Sequence, residues 1–248
     1  MKAIFITVRV GSSRLPNKSL LKIRGKYTIE YVIDAVKKSK LADKIVLCTT
    51  WEDGADTLCN IAKRNKIDWT RGSELNKFER WSEAATAFNV DFFVTADGDD
   101  LFCDHELVDL AFNQYMNSKV DFIKASKVIC GAFTYGINHS ALKYVCSIKD
   151  TEDTEMMWPY FEKEKTFTRH ELEKINIDYI RSDIRMTLDY EDDFKFFKNI
   201  IEHFGEKKFG LMDIINYIDR NPEVAKINKH CHEEWITNQK QKIKYKIK

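Results

Sequence analysis

Apolar positions along the first half of the chain switch between two spacings. Ala3 to Val8 (AIFITV) is almost continuously apolar and β-branched, the pattern of a parallel strand buried on both faces. A polar loop with Gly11, Pro16, serines and basic side chains follows. Thr28 can cap a helix in which Ile29, Val32, Ile33 and Val36 recur on one face. Lys44 to Thr49 reads as a second strand, Asp53 to Lys66 as a helix, and Ile67 to Thr70 as a brief third strand. Phe78, Trp81, Ala85 and Phe88 mark the stripe of another helix. Asp91 to Ala96 (DFFVTA) is a strand that runs straight into Asp97-Gly98-Asp99-Asp100. A helix over 105–117 and a strand over 121–126 complete this half.

Alternating strands and helices predict an α/β fold with a mostly parallel sheet and helices on both faces. The rhythm weakens past Gly131. Residues 131–183, with FTYGIN, an acidic stretch from Asp150 to Glu155 and WPYF, are read as a small insertion or flap, on the acceptor side or for dimerisation. Ile184 to Leu188 returns as a strand, before a helix over 191–204 with Phe194, Phe197, Ile201 and Phe204 on its apolar face. Residues 211–219 and 222–230 read as short closing helices divided at Asn221-Pro222, and the basic tail KQKIKYKIK is expected to fray. Without a repeat or a low-complexity linker, 1–248 is read as a single domain.

Composition narrows the partners. Forty Lys and Arg stand against 39 Asp and Glu, so the chain has no global charge that would draw nucleic acid or an anionic membrane. No apolar run approaches the roughly 20 residues of a membrane helix, and the N-terminal run meets Arg9 too soon for an export signal. Cys48, Cys59, Cys103, Cys130, Cys146 and Cys231 are scattered without a CxxC pair and read as reduced, buried thiols. A cytoplasmic location is the expectation. His230-Cys231-His232 has no second ligand cluster at zinc-finger spacing and is read as a surface or helix-end segment.

The loop RVGSSRLPNK carries the most chemistry. Gly11 permits close backbone approach to a ligand, Ser12 and Ser13 add hydroxyls beside exposed amides, and Arg9, Arg14 and Lys18 add cations. Phosphate oxygens need such donors and fixed positive charge at short range. The spacing is neither a Walker A loop nor a dinucleotide fingerprint. A solvated basic loop has the same composition; position at the C-terminal end of the first strand, where open α/β sheets bind ligands, favours phosphate.

Two carboxylate groups also follow strands. Asp97, Asp99 and Asp100 suit a hard cation such as Mg²⁺, although Asp-Gly is equally common turn chemistry. In Thr187-Leu188-Asp189-Tyr190-Glu191-Asp192-Asp193, Asp192 and Asp193 sit in a first helical turn, where the dipole favours negative charge. Asp189, at the strand end, is the better ligand candidate.

Arg9 to Lys18 closely resembles the RxGSxRLPxK loop of the cytidylyltransferase superfamily, and most of all its branch of spore coat polysaccharide biosynthesis proteins (SpsF-like). Enzymes making CMP-KDO and CMP-acylneuraminate are more distant relatives. TADGDDLFCD resembles the family's xDGDxPLxDP segment, with Asp99 on its metal aspartate. TLDYEDDFKFF resembles the segment whose first aspartate, here Asp189, is the second metal ligand. RGSELNKFERWSEAA resembles a stretch that places Arg80 near the nucleotide. Leu101 stands where the family has proline, and EMMWPYF (155–161) replaces an Arg-Glu-His-containing segment, both on the acceptor side.

The resemblance implies a GT-A-like (Rossmann-type) fold and a Mg²⁺-dependent cytidylyltransferase. Such an enzyme transfers CMP from CTP to a sugar acid or a sugar or polyol phosphate, with release of pyrophosphate, for surface glycan biosynthesis. It implies catalytic roles for Arg14, Lys18 and Asp99, metal ligation by Asp99 and Asp189, and nucleotide contacts from Val8, Arg9, Gly11, Ser12, Ser13, Arg71, Ser73, Arg80 and Asp97. A homodimer is implied by the family's habit. Two rival readings are a GT-A glycosyltransferase using Asp97-Gly98-Asp99 as its DxD motif, and a non-catalytic nucleotide-binding protein.

Overall fold

A computed structural model describes residues 1–12 and 14–248. The expectation placed on Ser13 lies outside the described residues. The chain opens with β1 (Lys2–Thr7) and, past the polar loop, a ribbon of β2 (Lys22–Ile23) and β3 (Lys26–Tyr27). Then come α1 (Thr28–Val36), β4 (Lys44–Thr50), α2 (Ala55–Arg64), β5 (Asp68–Gly72), α3 (Lys77–Ala87), β6 (Phe92–Asp97) and α4 (His105–Ser118). Beyond these lie β7 (Phe122–Lys124), β8 (Tyr135–Asn138), α5 (His139–Ile148), α6 (Trp158–Lys163) and β9 (Arg169–Glu171). The chain closes with α7 (Glu191–Phe204), α8 (Leu211–Arg220), α9 (Pro222–Lys226) and α10 (Cys231–Gln241).

Seven strands form one sheet in the order β5-β4-β1-β6-β8-β7-β9. β5, β4, β1 and β6 are mutually parallel, β8 is antiparallel to both its neighbours, and β9 is parallel to β7. Successive side chains of a strand point to opposite faces, and here both faces are covered. Ile4 and Ile6 meet Leu47, Val94 and the helices α1, α4 and α7 on one side. Ala3 and Phe5 meet Val46, Phe93, Trp81 of α3 and Tyr160 of α6 on the other. Double-sided burial explains why β1, β4 and β6 read as unbroken apolar runs. The stretch 131–183 contributes β8 and β9 to this sheet and α5 and α6 to the second core.

Several expectations are corrected. Tyr27, not Thr28, occupies the cap position of α1, and the Thr28 hydroxyl donates to the Lys18 carbonyl at 2.5 Å. That bond ties the end of the polar loop to the helix. Ile184 to Leu188 is extended but is not a strand of the sheet. It crosses the sheet's end through a single bridge from Arg185 to Cys130, and its Leu188 N–H donates to the Asp99 carbonyl at 2.9 Å. The close crossing requires glycine at 131, where φ is 89° and a Cβ would strike the Met186 carbonyl. On α7 the deepest side chains are Phe196, Phe197, Ile200 and Ile201, with Phe194 and Phe204 at the rim. The stripe is rotated because Asp193 is itself fully buried at its head.

The tail is held, not frayed. Alternation in KIKYKIK puts Lys242, Lys244 and Lys246 against Glu155, Asp153 and Asp150 at 3.0, 2.7 and 2.7 Å. Ile247 bridges to Lys149, and Tyr245 packs on Tyr160 with ring centroids 4.8 Å apart. The helix α10 preceding the tail has weak periodicity, with only Cys231 fully buried, and so escapes detection in the sequence. All six cysteines are free thiols, but only Cys48, Cys59, Cys103 and Cys231 are buried, with Cys130 and Cys146 half-buried. Tyr245→Ala should cost about 1–2 kcal/mol, seen as a drop in Tm of a few degrees, whereas an unattached tail leaves Tm unchanged.

Candidate active site

Three segments meet at the C-terminal end of the parallel strands: the loop after β1, the acidic loop after β6, and the crossing that leads into α7. Gly98 seats the acidic loop. Its N–H donates to the Thr7 carbonyl at 2.8 Å, and a Cβ there would lie 2.7 Å from Val8 Cβ. A side chain at 98 therefore separates the two loops.

Lys18 Nζ donates to Asp99 Oδ2 and, at 2.9 Å, to Asp189 Oδ1. Arg14 donates to the same Asp189 oxygen at 2.5 Å. The side chain of Asp189 is only 3% exposed. Burial alone would push its pKa up, but Lys18 and Arg14 hold it well below the ordinary carboxylate range. Burial likewise works against the Lys18 ammonium, and Asp99 and Asp189 outweigh it, so Lys18 is firmly charged.

Asp97 and Asp100 are less well neutralised than Asp189. Carboxylate oxygens of Asp97, Asp99 and Asp100 lie within 4.8 Å of one another. Burial pushes Asp100 well above the usual range, and Asp99 and Asp97 add repulsion. Burial raises Asp97 too, opposed by Lys77 at 3.8 Å. This donor set fits a hard divalent cation: it is all oxygen, and its mutual repulsion is what a cation would relieve. Asp99 and Asp189 already share one ammonium, so one ion is within reach of both.

The loop after β1 also shows its donors. Val10 N–H donates to Glu52 Oε1 at 2.5 Å and Gly11 N–H to Glu52 Oε2 at 3.1 Å, so these amides already grip a carboxylate. Val8, Arg9, Gly11, Arg14, Lys18, Arg80, Asp97, Asp99 and Asp189 line one cleft. Ser12, Arg71 and Ser73 are not among its lining residues. Arg71 pairs with Asp56 beneath the rings of Trp51 and Trp69, and the Ser73 hydroxyl accepts the Asn76 N–H near the start of α3. Arg80 donates to the Ser73 carbonyl, and burial lowers its pKa. Arg9 turns to Glu155 at 3.4 Å, and Lys242 binds the same side chain at 3.0 Å.

A larger cavity of about 880 Å³ opens beyond Asp97 and Asp99. Lys124, Lys127 and Arg181 line it with Trp158 and Trp235, the last from α10. Lys124 is paired with Glu162 at 2.5 Å, and Arg181 with Asp183 and Asp219 at 2.7 and 2.9 Å, so an anionic, ring-bearing molecule would meet aromatic faces and cations that already share carboxylates.

Sequence reasoning overlooked the support beneath Asp189. Asp193 accepts the N–H groups of Asp189 and Tyr190 at 2.9 and 3.0 Å. Arg185, 2% exposed, pairs with Asp193 at 3.0 Å and Asp189 at 3.3 Å. Asn228 then donates to Asp193 at 2.8 Å. The spacing of Asp189 and Asp193, one helical turn apart, hints at the cap, but Asn228 carries no local signal. Glu52 was overlooked as well.

Asp100 offers a pH test. A carboxyl whose folded pKa is raised contributes stability below its unfolded value of about 3.9 and loses it as pH rises through the folded value. Asp100→Asn in EDTA should therefore raise Tm, by a margin that grows as pH rises from 4. A margin independent of pH contradicts the assignment.

A family model described as cytidylyltransferase matches residues 3–219. The structure of a cytidylyltransferase from Leptospira borgpetersenii serovar Hardjo-bovis is 27% identical, with a TM-score of 0.83 over 90% of this chain and 96% of that one. The spore coat polysaccharide biosynthesis protein SpsF of Bacillus subtilis is 24% identical over 230 residues, 89% of this chain and 95% of its own. CMP:2-keto-3-deoxy-manno-octonic acid synthetase complexed with CTP has a similar fold, at 13% identity and a TM-score of 0.62 over 82% of this chain and 98% of that one. Among the described residues no helix is long and apolar enough to cross a membrane. The expected GT-A-like, mostly parallel architecture is thus shared with the two solved structures. Matched over nearly its whole strand-and-helix framework, the chain belongs to the cytidylyltransferase family.

Proposed function

We propose that the protein, acting in the cytoplasm as a single domain, transfers CMP from CTP to a sugar acid or a sugar or polyol phosphate used in surface glycan synthesis. The observation that carries this reading is the convergence of Lys18 and Arg14 on Asp99 and Asp189 in one cleft. CTP in the related synthetase and polysaccharide synthesis in the SpsF relative point the same way.

An acceptor oxygen, already ionised in a phosphate or giving up its proton to solvent in a hydroxyl, attacks the α-phosphorus in line, a new P–O bond forms, and the bond to the bridging oxygen breaks as pyrophosphate leaves. The protein's part is positioning and charge neutralisation. Lys18 and Arg14 hold the triphosphate, with Lys18 offsetting charge at the α-phosphate. Arg9 and the amides of Val10 and Gly11, which in the free protein hold Glu52, cradle the outer phosphates, and Arg80 lies behind the nucleotide. Asp99 and Asp189 would hold a divalent cation, Mg²⁺ in this reading, with Asp97 as the alternative ligand. Such an ion supplies positive charge to the phosphate oxygens. Lys124, Lys127 and Arg181 face the cavity where the anionic acceptor would sit. The three cations of the β1 loop exceed what a nucleotide sugar's diphosphate needs, which weighs against a glycosyltransferase.

Thermal shifts with CTP, UTP, GTP and ATP in Mg²⁺ test the reading. CTP should give the largest shift, and Lys18→Ala should weaken CTP binding by about tenfold or more. If no nucleotide stabilises the protein, or Lys18→Ala binds CTP like the wild type, the reading fails.

A further inference from the structure

A second cluster of ligating side chains lies at the start of α10, and nucleotidyl transfer gives it no task. His230 Nε2 stands 3.1 Å from Asp192 Oδ2, and Cys231 Sγ stands 3.6 Å from that same nitrogen. Ligand atoms of all three residues fall within 4.8 Å of one another. The adjacent His-Cys pair looked isolated in the sequence, because the third donor comes from the first turn of α7. His232 is not part of the cluster.

We propose that Asp192, His230 and Cys231 bind one Zn²⁺, with water as fourth ligand, as a clip between α7 and α10. Tetrahedral zinc with bonds of about 2.0 Å to nitrogen and oxygen and about 2.3 Å to sulfur sets its ligand atoms about 3.3–3.5 Å apart. Separations of 3.1 and 3.6 Å fall close to those edges. An imidazole, a thiol and a carboxylate select zinc over magnesium, which takes oxygen ligands. Lys195 occupies the other Asp192 oxygen, Oδ1, at 2.6 Å and leaves Oδ2 to the ion. On binding, the Cys231 thiol gives its proton to solvent.

The clip would brace the wall of the large cavity. α10 carries Trp235 into that cavity, and the ring of Trp235 lies 5.2 Å from the guanidinium of Arg185, which grips Asp189. Zinc at 192, 230 and 231 therefore fixes a helix that touches both halves of the site.

Co²⁺, a spectroscopic stand-in for Zn²⁺, titrated into the EDTA-stripped full chain tests the proposal. A thiolate-to-cobalt absorption band should saturate at one equivalent, disappear on adding Zn²⁺, and be absent in Cys231→Ser. His230 is 65% exposed, so His230→Ala probes ligation without disturbing the core and should weaken binding by at least about tenfold. Asp99→Asn should leave the band intact, which separates this site from the acidic loop. No band in the wild type, or a band that His230→Ala leaves at full affinity, overturns the assignment.

Discussion

The ammonium of Lys18 lies between the carboxylates of Asp99 and Asp189, and the arrangement of the whole cleft depends on that contact. Asp189 is almost wholly buried, and an unpaired carboxylate in that position would cost several kcal/mol. Lys18 and Arg14 remove the penalty by supplying positive charge from the loop after β1. In the proposed function the same two cations serve the triphosphate, and the same two carboxylates serve a cation. On that reading the free protein holds its site as internal ion pairs whose members would exchange partners when nucleotide arrives.

Such an exchange needs carboxylates that stay in place once Lys18 leaves. Arg185, Asp193 and Asn228 provide this beneath Asp189, through bonds to its side chain and its backbone N–H. Gly98 provides it for the acidic loop by seating the turn on the Thr7 carbonyl, and Gly131 lets the segment before Asp189 cross the sheet's end. Asp100, buried and pushed up in pKa, adds to the concentration of negative charge that a divalent ion would relieve. In the proposed function, rigid acids and exchangeable cations together would make the cleft a receptor for a metal-bound polyphosphate.

Local features of this design were legible in the sequence. The unbroken runs of β1, β4 and β6 announced a doubly covered parallel sheet, because each such strand writes both of its buried faces into consecutive residues. Arg14, Lys18, Asp99 and Asp189, which the structure brings together, were legible as charged residues in the polar segments that follow apolar runs. What escaped was contact between distant segments. Lys18 and Asp189 are 171 positions apart, and Asn228 reaches Asp193 with no periodic signal to mark it. Residues 184–188 looked like a strand since their composition suits one, but only backbone crossing at Gly131 decides what they pair with. The tail misled for a related reason. Its lysines looked solvated until the fold brought the acidic stretch 150–155 beside them.

In the proposed function, nucleotide and divalent cation replace one set of ion pairs together. Calorimetric titration of CTP into the protein, in saturating Mg²⁺ and again in EDTA, tests it most directly. Linkage requires that each ligand tighten the other, so CTP should bind at least about tenfold more tightly with Mg²⁺ present, equivalent to about 1.4 kcal/mol. Equal CTP affinity in Mg²⁺ and in EDTA would contradict the account.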